Sequence, residues 1–281
     1  MVECSLVLKN GKIVDGTGAP WFRGDIGISQ GKIAYVGAPG IISAADAGTV
    51  IDVGDKVISP GFIDVHAHSD FLLLRDPLNI SKISQGVTTE IEGQCGISPA
   101  PITDQSRELI KLYTRFAQAG VPLDWDWDGL ASYYDRIEQL GIGINVGFFV
   151  GHGAIRLAVM GFRTDKPTSE ELEKMKQLVA CAMEDGALGM TSGLIYPPGV
   201  YSTSQELVEL CRVVASYGGI YASHIRSESD GLIEAIKEAI EVGEQARIPV
   251  EISHHKAFGK HCWGKVQESL QLIEEARARG V

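Results

Sequence analysis

The sequence predicts an α/β protein that consists of an incomplete (β/α)8 barrel of the TIM type and a small N-terminal antiparallel β module. Two observations lead to this fold class. From residue 58 onwards, apolar strand-like runs alternate with amphipathic helical patterns, which indicates a parallel sheet covered by helices. Histidine and cysteine residues follow several of these runs, and the carboxyl ends of barrel strands are where TIM-type active sites lie.

Residues 1–57 contain short strand-like runs separated by turn residues. Asn10-Gly11 follows the apolar run 6–8 and is a strong signal for a two-residue hairpin. A second turn is predicted at Gln30-Gly31. Because this segment is too short to close a sandwich alone, we expect residues 1–57 to be the N-terminal part of a small β-sandwich module.

Residues 58–281 carry the barrel pattern. Strands are predicted at 62–65, 87–91, 144–150, 187–190, 220–223 and 250–253. Helix starts are indicated by Thr168 and Thr203, each followed by Glu three residues later, and by Asp230. Another helix is predicted over 268–279. We therefore expect residues 58–281 to form strands 1–6 only of the barrel of a metal-dependent hydrolase, for reasons given by the motifs below.

Composition excludes several classes of partner. The formal net charge is −11, with 25 Lys and Arg against 36 Asp and Glu, and such a surface repels nucleic acid and anionic lipid. Neither an apolar run of about 18 residues nor a signal-peptide pattern is present, so we expect a cytoplasmic location. The five cysteines are scattered, which argues against a disulfide framework.

The motif His66-Ala67-His68 ends the first apolar strand of the barrel region. Residues i and i+2 of an extended segment point to the same side, so both imidazoles can reach one metal ion. A bare His-x-His pair is often coincidental. Its place at a strand end, directly after the predicted domain boundary, favours the metal-binding interpretation.

Three more candidate ligands follow other strands. They are Cys95, His224 and His254, and the glycines beside Cys95 open the backbone there. A lone cysteine is more often a buried hydrophobic residue than a ligand. A thiolate with two imidazoles is nevertheless a donor set of catalytic zinc, which keeps a fourth position for water and lowers the pKa of that water to about 7. The chemistry indicated is hydrolysis of a C–N bond.

These motifs resemble those of a known family. His66-Ala67-His68 after Pro60–Asp64 is similar to the amidohydrolase superfamily signature. The segments Gly86–Gly96 and Gly186–Gly199, the latter with Tyr-Pro-Pro-Gly at its end, resemble the D-aminoacylase branch, the N-acyl-D-amino-acid deacylases. Ser-His-Ile-Arg at 223–226 and Ser-His-His-Lys at 253–256 fit the same branch.

The resemblance implies roles for these residues. Cys95, His224 and His254 would hold a tight Zn²⁺, while His66 and His68 would form a weaker second site with Cys95 as the bridge. Lys256 and Arg226 are candidates for binding the substrate carboxylate, with surface salt bridges as the alternative. The implied substrate is a small N-acyl-D-amino acid, and the implied products are a carboxylate and a free D-amino acid.

The resemblance breaks at the general base. The family uses an aspartate at the end of the eighth strand, and this sequence has no aspartate after Asp230. We therefore expect the catalytic aspartate to lie beyond residue 281, and the chain to need a complementary C-terminal fragment for activity. Two alternatives stay open, namely a catalytically inactive metal-binding protein and an amidohydrolase that opens cyclic amides.

Overall fold

The computed structural model describes residues 3–43, 47–118, 120 and 122–281. The chain divides into two compact units, Met1–Phe62 and Ile63–Val281, and each is described by itself.

The first unit is built around one long central strand. Its strands are β1 (Cys4–Ile13), β2 (Phe22–Ser29), β3 (Lys32–Gly37), β4 (Ala47–Asp52) and β5 (Val57–Ile58). The sheet has the order β3-β2-β1-β4, with β5 also paired to β1. Strands β1, β2 and β3 pair antiparallel, as predicted, whereas β4 and β5 run parallel to β1.

The two predicted turns of this unit have different outcomes. Gln30-Gly31 connects β2 to β3, as predicted. The hairpin predicted at Asn10-Gly11 was wrong, because β1 continues through both residues with a register irregularity against β2. Asn10 has a φ of 65°, and its backbone N–H donates to the buried Asp25 carboxylate over 2.9 Å. The left-handed residue therefore forms a bulge, which bends a strand without reversing it.

The strands of the second unit follow one another in chain order. They are β6 (Phe62–Asp64), β7 (Val87–Glu92), β8 (Asn145–Phe148), β9 (Val150–Gly151), β10 (Gly189–Gly193), β11 (Ile220–His224) and β12 (Val250–Ile252). Two sheets result, with orders β6-β7-β8 and β9-β10-β11-β12. Only Phe149 separates β8 from β9, and its N–H donates to Glu92 O over 3.0 Å. If β8 and β9 are counted as one interrupted strand, the seven strands correspond to the six strands of the predicted incomplete barrel.

Helices occupy the connections between these strands. They are α1 (Ile80–Ile83), α2 (Arg107–Tyr113), α3 (Leu130–Leu140), α4 (His152–Met160), α5 (Ser169–Glu184), α6 (Ser204–Ser216), α7 (Leu232–Ala246) and α8 (Lys265–Ala278). Thr168 and Thr203 cap α5 and α6, as predicted. The cap predicted at Asp230 was wrong, because Gly231 holds that position and the Asp230 carboxylate lies near other side chains. Among the described residues, no helix combines the length and hydropathy needed to span a membrane.

A buried ionic group links α4 to α6. Glu206 accepts a hydrogen bond from Arg156 over 2.6 Å and lies 2.8 Å from His152 Nε2, and all three side chains are inaccessible to solvent. Burial raises the pKa of Glu206, but His152 and Arg156 outweigh that effect and the net pKa is lowered. His152, which is not among the proposed ligands, therefore has a structural partner.

We expect Glu206→Gln to lower the free energy of unfolding by about 3–5 kcal/mol, because the buried Arg156 charge loses its counter-ion. Urea unfolding followed by circular dichroism measures this. Glu209→Gln on the same helix is the control, because Glu209 pairs with partly exposed Lys176 and Arg212. Exposed pairs contribute only about 0–1 kcal/mol. Equal losses in both variants would contradict the role of the buried group.

Candidate metal centre

The structure brings the five candidate ligands together at the carboxyl ends of four strands. His66 and His68 follow β6, Cys95 follows β7, His224 is the last residue of β11, and His254 follows β12. Because the carboxyl ends of parallel strands meet on one side of a sheet, residues far apart in sequence converge there.

Cys95, His224 and His254 form the first group of donors. Their Sγ and ring nitrogen atoms all lie within 4.8 Å of one another. Cys95 Sγ is 3.6 Å from His254 Nε2, and the His224 and His254 rings have centroids 4.4 Å apart at an angle of 79°. One thiol and two imidazoles therefore face a common point.

His66, His68 and Cys95 form a second group with the same 4.8 Å limit. Cys95 Sγ lies 3.4 Å from His66 Nε2, and the two histidine rings have centroids 5.4 Å apart. Cys95 is thus common to both groups. This geometry allows one sulfur atom to contact two metal ions.

Two of these residues have unusual backbone conformations. Cys95 has a φ of 58° and His254 a φ of 39°, in the left-handed region that non-glycine residues rarely adopt. Gly93, with a φ of 75°, packs so closely that a Cβ there would lie 2.1 Å from Phe149 O. Backbone outliers of this kind concentrate at functional sites, where packing holds them in place.

The electrostatics favour neutral ligands in the absence of a metal ion. Burial, followed by the neighbouring histidines, lowers the pKa of His66 and that of His224 to about 4. Burial raises the pKa of the Cys95 thiol to about 12. Neutral imidazoles keep a lone pair for a metal, whereas the thiol needs a nearby cation before it loses its proton.

The hydrogen-bonding state of His224 fits a metal ligand. Its Nε2 atom is buried and has no hydrogen-bond partner among the described residues. Buried polar atoms are seldom left without a partner, because each costs about 1–3 kcal/mol. A metal ion coordinated by this atom together with Cys95 and His254 would remove that cost.

Residues behind the ligands orient them. Glu228 Oε1 lies 2.8 Å from His254 Nδ1, which leaves Nε2 directed towards Cys95. The Tyr196 hydroxyl donates a hydrogen bond to the Cys95 carbonyl oxygen over 2.5 Å. Sequence reasoning missed Glu228. A carboxylate in the loop after His224 was the available signal, since ligating histidines are commonly oriented by a carboxylate. Local sequence does not show that its partner is His254.

Buried acids connect the loops that carry the ligands. Ser69 N–H donates to Glu92 over 2.8 Å, and Gly93 N–H donates to Asp70 over 2.9 Å. Burial raises the pKa of both carboxyl groups, and repulsion from Glu90 raises both further; repulsion from Asp70 also raises the pKa of Glu92. These contacts fix the His66-Ala67-His68 segment against the segment that leads to Cys95.

The five candidate ligands face a cavity of about 690 Å³. Its lining consists of the five candidate ligands and of Ile97, Tyr113, Phe116, Tyr196 and Pro197. The walls beside the ligands are therefore apolar and aromatic. Tyr113 and Phe116 come from the segment 100–140, whose contribution to the cavity had no sequence signal.

The two cationic candidates lie outside this lining. Arg226 donates to Glu238 over 2.8 and 2.9 Å and to the carbonyls of Val200 and Ser202, so its guanidinium is engaged within the protein. Lys256 contacts Glu228, and its Nζ lies 3.1 Å from His254 Nδ1. The Lys256 side chain remains 46% exposed to solvent. The Arg226 guanidinium, in contrast, is held by four hydrogen bonds within the protein.

Comparison with known proteins identifies the family. Residues 49–262 match the model of the Amidohydrolase family. The chain belongs to this family. The D-aminoacylase of Alcaligenes xylosoxydans xylosoxydans is 38% identical over 98% of the chain, and the N-acyl-D-glutamate deacylase of that organism is 37% identical over 99%. The chain covers 55% of each relative, so this amidohydrolase spans about half the length of the curated relatives it matches.

Solved structures agree with this assignment. A D-aminoacylase crystal structure has a TM-score of 0.88 and 36% identity, with 98% of this chain and 56% of that one covered. The N-acyl-D-glutamate deacylase from Bordetella bronchiseptica, complexed with zinc and a phosphonate inhibitor, has a TM-score of 0.89 and 34% identity over 100% and 57% of the two chains. A D-hydantoinase, at 19% identity and a TM-score of 0.56, shares the fold.

We expect the chelator-treated chain to lose stability as the pH falls from about 6.5 to 4. The unfolded chain binds protons at histidine near pH 6.5, whereas His66 and His224 in the folded chain do so near 4, so acid in this window favours unfolding. Melting temperatures between pH 4 and 8 measure the effect.

The double variant His66→Gln, His224→Gln is expected to show a shallower pH dependence over that window. Gln139→Ala, which changes an exposed uncharged residue of α3, serves as the control and keeps the wild-type slope. A double variant with the full wild-type slope would disprove the contribution of these two imidazoles.

Proposed function

We propose that this amidohydrolase carries the metal site of a zinc-dependent deacylase, which hydrolyses the amide bond of N-acyl-D-amino acids to a carboxylate and a free D-amino acid. One observation carries the proposal, namely the convergence of Cys95, His224 and His254 around the unpartnered Nε2 of His224. The similarity to deacylases of N-acyl-D-amino acids supports the substrate class.

In this proposal Cys95, His224 and His254 hold the tight Zn²⁺. A thiolate and two imidazoles form a borderline-soft donor set that suits zinc, and three protein ligands leave one position for chemistry. The separations between the donor atoms are compatible with a shared ion. The Bordetella bronchiseptica relative, which was solved with zinc, supports the choice of metal.

His66 and His68 provide a weaker second site, with Cys95 shared between the two. Support comes from the short distance of 3.4 Å between Cys95 Sγ and His66 Nε2. A D-aminoacylase of 36% identity is described as having a binuclear metal centre, with activation by one metal and attenuation by the second. Two neutral imidazoles and a shared sulfur offer less charge than a site with its own thiolate, so weaker binding is expected.

The residues of the chain prepare the site for amide hydrolysis. When bound, zinc polarises an amide carbonyl and activates water for attack. Glu228 fixes the tautomer and orientation of His254 through Nδ1. The walls formed by Ile97, Tyr113 and Phe116 provide apolar contacts for an acyl chain. The low polarity of these walls strengthens every electrostatic contact near the carbonyl.

Lys256 is proposed as the residue that attracts the substrate carboxylate. It lies next to His254, and its partly exposed ammonium can exchange Glu228 for an anionic ligand. Arg226 is proposed to act at a distance, by holding the segment around Val200 and Ser202 in place.

The proton transfer requires a group that the cavity lining does not contain. None of the ten residues that line the described cavity is an aspartate or glutamate. A general base must lie within hydrogen-bonding reach of the water that it activates. Because the matched relatives are almost twice as long, we propose that a complementary C-terminal segment supplies this carboxylate.

We expect His224→Ala to lose the tightly held zinc ion, because two remaining ligands bind zinc far more weakly than three. The measurement is zinc per chain by mass spectrometry after dialysis against a weak chelator. His255→Ala is the matched control, since His255 lies beside a proposed ligand and contacts Ser269. Zinc retention in His224→Ala equal to that of the wild type would refute the assignment.

We expect the chain alone to leave N-acetyl-D-methionine intact, and to hydrolyse it once a C-terminal segment of the D-aminoacylase relative is supplied. The L isomer and a hydantoin are the comparison substrates. Lys256→Met is expected to raise KM about tenfold with a smaller effect on kcat, because it removes one charge-assisted contact.

Bound zinc without turnover in the complemented form would favour the metal-binding alternative. Turnover of the hydantoin in preference to the acyl amino acid would favour an amidohydrolase that opens cyclic amides.

A further inference from the structure

A second cluster of metal-binding side chains lies outside the proposed centre. It consists of Asp230, in the loop between β11 and α7, and of His261 and Cys262, in a 3-10 turn between β12 and α8. One donor atom from each residue lies within 4.8 Å of the other two. We propose that this cluster is a peripheral zinc site, with no ligand in common with the proposed catalytic centre.

Two distances within the cluster are close to the edges of a tetrahedral zinc site. Asp230 Oδ1 lies 3.0 Å from His261 Nε2 and 3.7 Å from Cys262 Sγ. With usual zinc–ligand distances, a tetrahedron requires about 3.3 Å between oxygen and nitrogen and about 3.6 Å between oxygen and sulfur. The third separation, between a His261 ring nitrogen and Cys262 Sγ, lies within 4.8 Å, and water would occupy the fourth position.

The local backbone prepares the turn for this role. Gly259 has a φ of 91°, and a Cβ at this position would lie 2.8 Å from Cε1 of the His261 ring. Cys262 N–H donates to Gly259 O over 3.0 Å, which fixes the direction of the following side chain. Glycine suits this positive φ and leaves room for the imidazole, and the Cys262 thiol is fully buried.

Hydrogen bonds already hold the two loops together. Lys265 Nζ donates to Asp230 O over 2.9 Å, and Phe258 N–H donates to Glu228 O over 2.6 Å. The ligands are therefore partly preorganised, which reduces the entropy lost when an ion binds. The Asp230 and His261 side chains are 83% and 63% exposed, so Zn²⁺ can enter from solvent and close over the buried sulfur.

The position of this site relates it to the proposed centre. Asp230 is two residues from Glu228, whose carboxylate orients His254. Zinc at the peripheral site would join the Asp230 loop to the turn 260–262 and restrict the motion of Glu228. Its function is therefore to stabilise the loop behind the proposed catalytic ligand, not to perform chemistry.

The test counts zinc ions in the full chain. The chain is equilibrated with Zn²⁺, dialysed, and analysed by mass spectrometry of the metal. We expect His261→Ala and Cys262→Ser each to bind one zinc fewer than the wild type. Cys181→Ser is the matched control, because Cys181 is an exposed cysteine of α5 outside both clusters, and it is expected to keep the wild-type count.

Co²⁺ replacement gives a second measurement. In the Cys95→Ser background, which removes the shared thiolate from both proposed sites of the centre, the thiolate-to-cobalt absorption that remains is expected to disappear with His261→Ala. If His224→Ala removes no metal but His261→Ala does, the proposed function fails and the peripheral site stands. If His261→Ala and Cys262→Ser bind as much zinc as the wild type, the peripheral site is overturned. Because His261 is exposed, its variant remains decisive even where Cys262→Ser does not fold.

Discussion

The position of the Cys95 thiol is the constraint on which the rest of the site depends. Its sulfur lies 3.4 Å from His66 Nε2 and 3.6 Å from His254 Nε2, between two groups of imidazoles. A left-handed backbone and close-packed neighbouring glycines are needed to place it there. Burial raises the pKa of this thiol, so it would lose its proton only beside a cation, and a metal bound there would be coupled to the fold.

The surrounding protein holds this arrangement through contacts that do not touch the cavity. Asp70 and Glu92 accept hydrogen bonds from backbone N–H groups across the segments that follow β6 and β7, whereas Glu228 contacts Nδ1 of the His254 ring. Glu228 is the carboxylate that contacts a candidate ligand directly, and such carboxylates commonly set the orientation of ligating histidines. The positions of the candidate ligands therefore depend on the surrounding hydrogen bonds as much as on the ligands themselves.

Sequence patterns predicted the elements that depend on local chemistry. Strand ends placed the candidate ligands, and Thr168 and Thr203 were found at helix starts because capping involves only neighbouring residues. Features decided by tertiary partners were not accessible in this way. Asn10 forms a bulge because Asp25 accepts its N–H, and Arg226 is engaged because Glu238 lies opposite on α7. Neither partner is visible from local sequence.

The candidate ligands come from strands at the two ends of the β6–β12 series, and none comes from β8, β9 or β10. The rings of His66 and His254 nevertheless have centroids only 5.1 Å apart. A metal held there would link two ends of the strand series, and because it binds the folded arrangement and not the unfolded chain, its binding free energy would add to the stability of the fold. Metal binding would then couple the stability of the whole strand series to the occupancy of one site.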